Sequence, residues 1–124
     1  RYAGRPKEAL KEHEKALRFN PMYGHRLYYL TLGHTYFMLK QYDAALAAAH
    51  QAASHGSDHF SIHRSFAMAY AQLGCEDEAR RHAEQVLRIN PNFSIQAWAQ
   101  RLPYKSKSDL DHFIDGMRKA GLPE

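Results

Sequence analysis

Nine histidines among 124 residues are the first chemistry to weigh. His55, His59 and His63 recur at four-residue spacing, with His50 just before them. Such spacing lines ligands along one helix face, as a transition metal requires. Gly56, Ser57 and Asp58 fall between the first two, however, and a helix broken there separates His55 from His59. No cysteine stands beside them, and nothing nearby is suited to orient the imidazoles. No metal and no cofactor is expected, and the histidines read as solvated or loosely hydrogen-bonded. Cys75 has no His–Asp order around it and is not read as a nucleophile. Lys7, Lys11, Lys15 and Arg18 form a basic ridge that would suit phosphate or an acidic partner. Glu8, Glu12 and Glu14 are interleaved with it, and Glu14–Arg18 is an i,i+4 pair, so a solvated face is the better account. The sequence shows no Gly-rich phosphate loop, paired catalytic carboxylates or Ser–His–Asp order, and no catalytic residue is assigned.

The elements that carry these residues are helices. Apolar residues follow helical spacing, and Val, Ile and Thr are too few for strands. Glycine and proline punctuate at Gly4, Pro6, Pro21, Gly56, Gly74, Pro91, Pro103 and Pro123. The spacing predicts helices over 6–20, 25–39, 43–55, 59–73, 76–90, 94–101 and 108–121. Segment 25–39 is apolar nearly all round, so both its faces should be covered. Segment 43–55 is rich in alanine, which lets neighbouring helices approach closely. Ser57–Asp58 are expected to cap the fourth segment, and Glu76, Asp77 and Glu78 sit at the positive end of the fifth helix dipole. The last segment starts at Ser108 with Asp111 completing a capping box, ends at Gly121, and carries an apolar seam of Leu110, Phe113, Ile114 and Met117.

These helices repeat in pairs. Gln41–Leu46 aligns with Cys75–Arg80 at a shift of 34, and Gly4–Ala9 with Lys40–Ala45 at a shift of 36. Leu-Arg-Phe-Asn-Pro at 17–21 returns as Leu-Arg-Ile-Asn-Pro at 87–91. Helix pairs at this period, with Leu32-Gly33, Tyr36, Tyr42, Ala45 and Ala52 answered by Ala67, Tyr70, Gly74, Ala79 and Pro91, resemble the tetratricopeptide repeat. Gly4, Ala9, Ala16 and Pro21 match its second helix alone, and Ser57 stands where a proline is usual. The resemblance implies an all-α solenoid of antiparallel helix pairs, about two and a half repeats, with a C-terminal capping helix. One domain spans 1–124: residues 1–21 are the second helix of a truncated repeat, 22–57 and 58–91 are repeats, and 92–124 form the cap.

A narrower resemblance runs through Phe19-Asn20-Pro21, Tyr36–Leu46, Gly74–Arg80, Ile89–Phe93, Arg101-Leu102-Pro103-Tyr104 and Gly116–Glu124. Together these look like the C-terminal tail of bacterial, rhizobial-type class III adenylate/guanylate cyclase-like proteins. That implies a fragment of a longer signalling protein, with Glu124 at or near its natural end and a catalytic domain upstream. The fragment would then be a non-catalytic module that regulates, localises or oligomerises that domain by binding a protein or peptide. Similar repeats follow winged-helix transcription regulators, and the alternative is such a tail with a basic nucleic-acid-contacting face.

In the register of the repeat, the partner-binding concave face comprises Leu27, Leu30, Thr31, His34, Phe37, Met38, Arg64 and Met68. The first six make an apolar patch suited to an apolar or helical peptide. The same patch would be buried if the missing first helix or a second copy covered it. Chaperone-binding relatives place Lys and Asn there to grip a carboxylate; Leu30, His34, Arg64 and Ser65 do not fit that use. The truncated first repeat is expected to expose Tyr28, Tyr29 and Leu32 and so to drive a homo-oligomer. The terminal helix is expected to pack on 78–90 and 94–101, with Trp98 in the contact. Net charge is +4, with a nearly uncharged middle, so nucleic acid is not expected as a partner. No run approaches the roughly 20 apolar residues of a membrane span. A single cysteine points to a reducing, cytoplasmic compartment.

Overall fold

A computed structural model describes residues 7, 8, 11, 25–54, 59–101 and 107–124, with backbone alone for 25–27. The described residues form an all-α helical-repeat solenoid. Its successive helices are α1 (His25–Met38), α2 (Tyr42–Ser54), α3 (Phe60–Gln72), α4 (Glu76–Ile89), α5 (Ile95–Gln100) and α6 (Lys107–Lys119). The expected helix at 6–20 falls largely outside the described residues; Lys7, Glu8 and Lys11 are helical and exposed.

Two antiparallel pairs, α1–α2 and α3–α4, repeat the same turn. Lys40 (φ 60°) and Gly74 (φ 81°) both take the left-handed conformation that ends a helix. The next amide then reaches back to a carbonyl five residues earlier: Gln41 to Tyr36 and Cys75 to Tyr70, each at 2.9 Å. Glu76, Asp77 and Glu78 occupy the first turn of α4. His59 is the N-cap of α3, its Nδ1 accepting from the Ser61 amide at 3.1 Å. Ser57 and Asp58, the expected caps, lie outside the described residues.

Within each pair the contact is made by small residues. On α2 the buried side chains are Ala45, Ala48, Ala49 and Ala52, and across α3–α4 they include Ala67 and Ala79. Between the pairs, Leu30, Ala49, Ala52, Ile62 and Phe66 form one core cluster. A second cluster joins Phe37, Met68, Val86, Phe93 and Ile95 to Phe113, Met117, Ala120 and Leu122 from the end of the chain.

The end of the chain departs from expectation in part: the contact with α5 and Trp98 is as expected, that with α4 is not. α6 packs on α3, α1 and α5, and not on α4. α5 stops at Gln100, and the returning helix crosses the first helices of both pairs. Gly121 (φ 90°) ends α6 as expected, with the Leu122 amide bonded to the Met117 carbonyl at 3.1 Å. The tail then meets the start of α5. The amides of Ile95 and Gln96 donate to the carbonyls of Pro123 and Glu124 at 2.8 and 3.0 Å, and the Ala97 amide donates to Ser94 Oγ at 3.0 Å. The unsatisfied first-turn amides of a helix are thereby met by the chain's own terminus.

Candidate functional site

The residues expected on the partner face divide between two core clusters and the helix surfaces. Leu30 is buried in the cluster between the pairs. Phe37 and Met68 are buried in the cluster that contains α6 residues, and Arg64 is buried as well. His34 and Met38 are half-buried and Thr31 is exposed; the side chain of Leu27 lies outside the described residues. So the groove between α1 and α3 exists, but it is filled rather than open. The sequence reading placed its covering on a missing first helix or a second copy, whereas the chain's own α6 supplies it.

Phe113 is the centre of that covering and is fully buried. Its ring stacks on Phe37 with centroids 5.4 Å apart and planes 17° apart, and it meets His34 edge-on at 5.4 Å and Trp98 edge-on at 5.8 Å. Such aromatic contacts add to the area they bury. His112 lies 4.6 Å from the Phe37 ring, and its Nε2 is 3.1 Å from the Tyr42 hydroxyl. One turn on, Gly116 lets α6 approach: a Cβ there would lie 2.8 Å from Phe37 Cζ and 3.4 Å from Met68 Cβ. Met117 is fully buried below it. At the rim, Gln72 Nε2 donates to Asp115 at 3.0 Å, and Lys119 reaches both Gln72 Oε1 at 3.0 Å and Asp115 at 3.2 Å. The Gln72 bond, with Lys119, holds the Asp115 carboxyl below its usual range.

One charge is taken into the groove. Arg64 Nη2 donates to His34 Nε2 at 3.1 Å, and its guanidinium lies 4.7 Å over the Trp98 ring. The weak hydration and planar face of a guanidinium suit both contacts. Burial, reinforced by the Arg64 charge, pushes the His34 imidazole down to about 3, so it stays neutral. Burial likewise lowers His112, against the pull of a hydrogen bond that its ring donates to the Phe37 backbone. No group here is placed as a nucleophile or as a base toward an open cleft; the arrangement holds a helix.

The other histidines whose side chains are described have structural partners. His50 meets Phe66 edge-on at 4.7 Å, and His82 stacks on Phe66 at 4.5 Å and Tyr70 at 5.8 Å. His63 and His82 bring their Nδ1 atoms to 3.0 Å. Burial, then the neighbouring His63 and Arg81, pushes His82 down to about 4. Among the described residues no three His, Cys, Asp or Glu side chains gather as a metal site would require; His55 lies outside them. Tyr28, expected to be exposed, is buried edge-on to Tyr29, and the one large apolar side chain exposed among the described residues is Leu73. Of the patch expected to drive self-association, Tyr28 is buried while Tyr29 and Leu32 are half-buried. Of the basic ridge, Lys15 and Arg18 lie outside the described residues.

The second pair carries a match to a known repeat. Residues 65–93, from the middle of α3 through the turn after α4, match the model of the tetratricopeptide repeat. The chain carries a tetratricopeptide repeat. Tetratricopeptide repeats are protein–protein interaction units, and in stacked pairs the first helices line the binding surface. α1 and α3 are the first helices of the two pairs. A stretch of 44 residues is also 36% identical to "Putative adenylate cyclase 3" of Rhizobium meliloti (strain 1021). That stretch is 36% of this chain and 8% of the relative, so the chain spans a small part of that protein's length. Among the described residues no helix is long and apolar enough to cross a membrane.

The seam Phe113–Met117 was legible as apolar residues at helical spacing, but its destination was not. Gly116 carried a signal, since a glycine inside a helical pattern marks a close approach. The repeat register places Arg64 and Gln72 on the same face, but not what they touch, because a polar side chain at helical spacing looks alike whether it meets water or another helix.

Proposed function

We propose that this chain is the interaction module of a signalling protein and that its groove between α1 and α3 grips an amphipathic helix. The observation that carries the reading is Phe113 seated between Phe37, His34 and Trp98. It is a helix occupying the tetratricopeptide binding surface, and it displays what that surface accepts. Helix-in-groove recognition rests on apolar anchors one turn apart, and Phe113 and Met117 are such a pair. The remaining face of α6 is charged, as a helix bound on a surface requires. The parent is read as an adenylate or guanylate cyclase of the cytoplasm, supported by the similarity to the Rhizobium meliloti protein; in it the module would regulate or localise the catalytic domain.

Selection of displayed 18-residue helices against the chain tests the groove. The expected outcome is enrichment of helices with an aromatic residue and an aliphatic or thioether residue four positions later, lost when Met68→Lys puts a charge into the groove. Equal enrichment on the substituted chain, confirmed folded by circular dichroism, overturns the reading. Cyclic-nucleotide synthesis by the natural parent protein, assayed with and without this segment, tests the attached activity.

A further inference from the structure

α6 fits the groove in four independent respects. Phe113 is fully buried against rings of α1 and α5. Gly116 is the smallest possible residue where α6 crosses Phe37 and Met68. His112 meets the Tyr42 hydroxyl. Asp115 and Lys119 both engage Gln72 on α3. The seam therefore reads aromatic, two residues to an acid, three to a small residue and four to a thioether. Yet α6 differs from the helices around it in how it is tied in. Its exposed ion pairs, Lys107–Asp111 within the helix and Arg118–Glu124 between helix and tail, stay inside the C-terminal segment, and the tail beyond the helix meets α5 through the Ile95 and Gln96 amides. Exposed pairs of this kind hold little. The helix itself is held by the one seam, which a second helix of the same pattern can reproduce contact by contact, while the tail keeps its separate bonds to α5.

We infer that α6 is a resident stand-in for the partner helix: a protein presenting an amphipathic helix of the pattern aromatic, acid at the second following position, small residue at the third and Met or Leu at the fourth displaces α6 from the groove. Capture of the partner and release of the C-terminal helix are then one event. This rests on the reading of the groove as a helix-binding site. Affinity for the partner is reduced by the fraction of molecules in which α6 is seated, because only the open fraction is competent. The partner gains a groove matched in shape and charge, and the released seam of Phe113 and Met117 becomes available outside it.

The single tryptophan supplies the readout, since Trp98 touches both Phe113 and Arg64. The probe is a synthetic peptide of residues 107–124, which contains no tryptophan. It is titrated into the full chain, into Phe113→Ala and into Asp115→Ala. The second variant alters an exposed side chain and keeps the test sound should the first fail to fold. The expected result is binding to both variants, at least about tenfold tighter for Phe113→Ala than for the unsubstituted chain. A peptide carrying Ala in place of Phe113 should not bind. Equal affinity for all three chains overturns the displacement while leaving the groove reading standing. Failure of the peptide to bind any of them, Trp98 emission unchanged, overturns both.

Discussion

Gly33 and Gly116 both sit inside helices, and their surroundings differ. A Cβ on Gly33 would lie 3.5 Å from Ala48 Cβ and 3.6 Å from the Ala45 carbonyl, ordinary contact distances, beside a cavity of ≈ 10 Å³. Gly33→Ala should therefore stabilise the chain by about 0.5–1 kcal/mol, the helix-interior cost of glycine. A lower melting temperature would show that α1 and α2 need closer contact than this. At Gly116 the added carbon would stand 2.8 Å from Phe37 Cζ, and that ring is held by Tyr42, His112 and Phe113. Gly116→Ala should cost about 1–3 kcal/mol of overpacking, only partly offset by helix propensity. The expected outcome is a lower melting temperature with altered Trp98 emission. Lys40 holds a conformation that Gly74 adopts without strain in the second pair. Lys40→Gly should gain up to about 1 kcal/mol, measured by urea denaturation; a loss would mean that the lysine side chain does more at this turn than its backbone costs.

α6 is the element on which stability and binding meet. Phe113 and Met117 are fully buried, Leu122 nearly so, and Phe37 and Met68 are buried in the same cluster. At about 1.5–3 kcal/mol for each large side chain exposed, removal of 107–124 approaches the roughly 5–15 kcal/mol that holds a small domain together. It also strips the Pro123 and Glu124 carbonyls from the start of α5. The truncated chain should melt far below the full one or lose its cooperative transition, followed by circular dichroism. Adding the 107–124 peptide in trans should recover part of the lost stability. A truncated chain melting within a few degrees of the full one would mean that α6 contributes little to the fold.

At the scale of the whole molecule, the histidines make stability depend on pH. His34 is held at about 3 and His82 at about 4, and His112 is also lowered, while the unfolded imidazole titrates near about 6.5. Groups whose folded values are depressed add nothing unfavourable above about pH 6.5, where both states are neutral. Below it the unfolded chain takes up protons that the folded one refuses, so stability falls as pH drops toward 4 and 3. Arg64 faces His34; His63, Arg81 and His50 face His82; Lys40 and Lys119 oppose protonation of His112 while Asp115 favours it. Each fully responding group costs up to about 1.4 kcal/mol per pH unit in that window. Melting temperature should drop steadily between pH 7 and 5, and His34→Gln, which still offers Arg64 an acceptor, should flatten the slope. An unchanged slope would remove His34 from the account.

Much of this molecule was legible along the chain. Helices at 25–38, 42–54, 60–72 and 76–89 follow to within a residue from apolar periodicity and from the stop at Gly74, because a helix is a local structure closed by near neighbours, whereas the left-handed turn at Lys40 carries no such mark in the sequence. The pairing followed from the repeat of small residues, Gly33 with Ala45 and Ala67 with Ala79, since side-chain size at a crossing is itself written in the sequence. Leu110, Phe113, Ile114 and Met117 announced that α6 has a buried side. Where that side goes was decided only in three dimensions. An apolar seam seeks any complementary surface, and the α4 and the α1–α3 surfaces are both apolar in sequence. What separates them is the shape left between Phe37 and Met68, the clearance that Gly116 provides, and the short α5 that sets where the returning chain can reach. The same docking buries Arg64 beside His34 and Trp98 and turns an expected open binding face into an occupied one. These contacts join residues far apart in sequence, and periodicity records only neighbours.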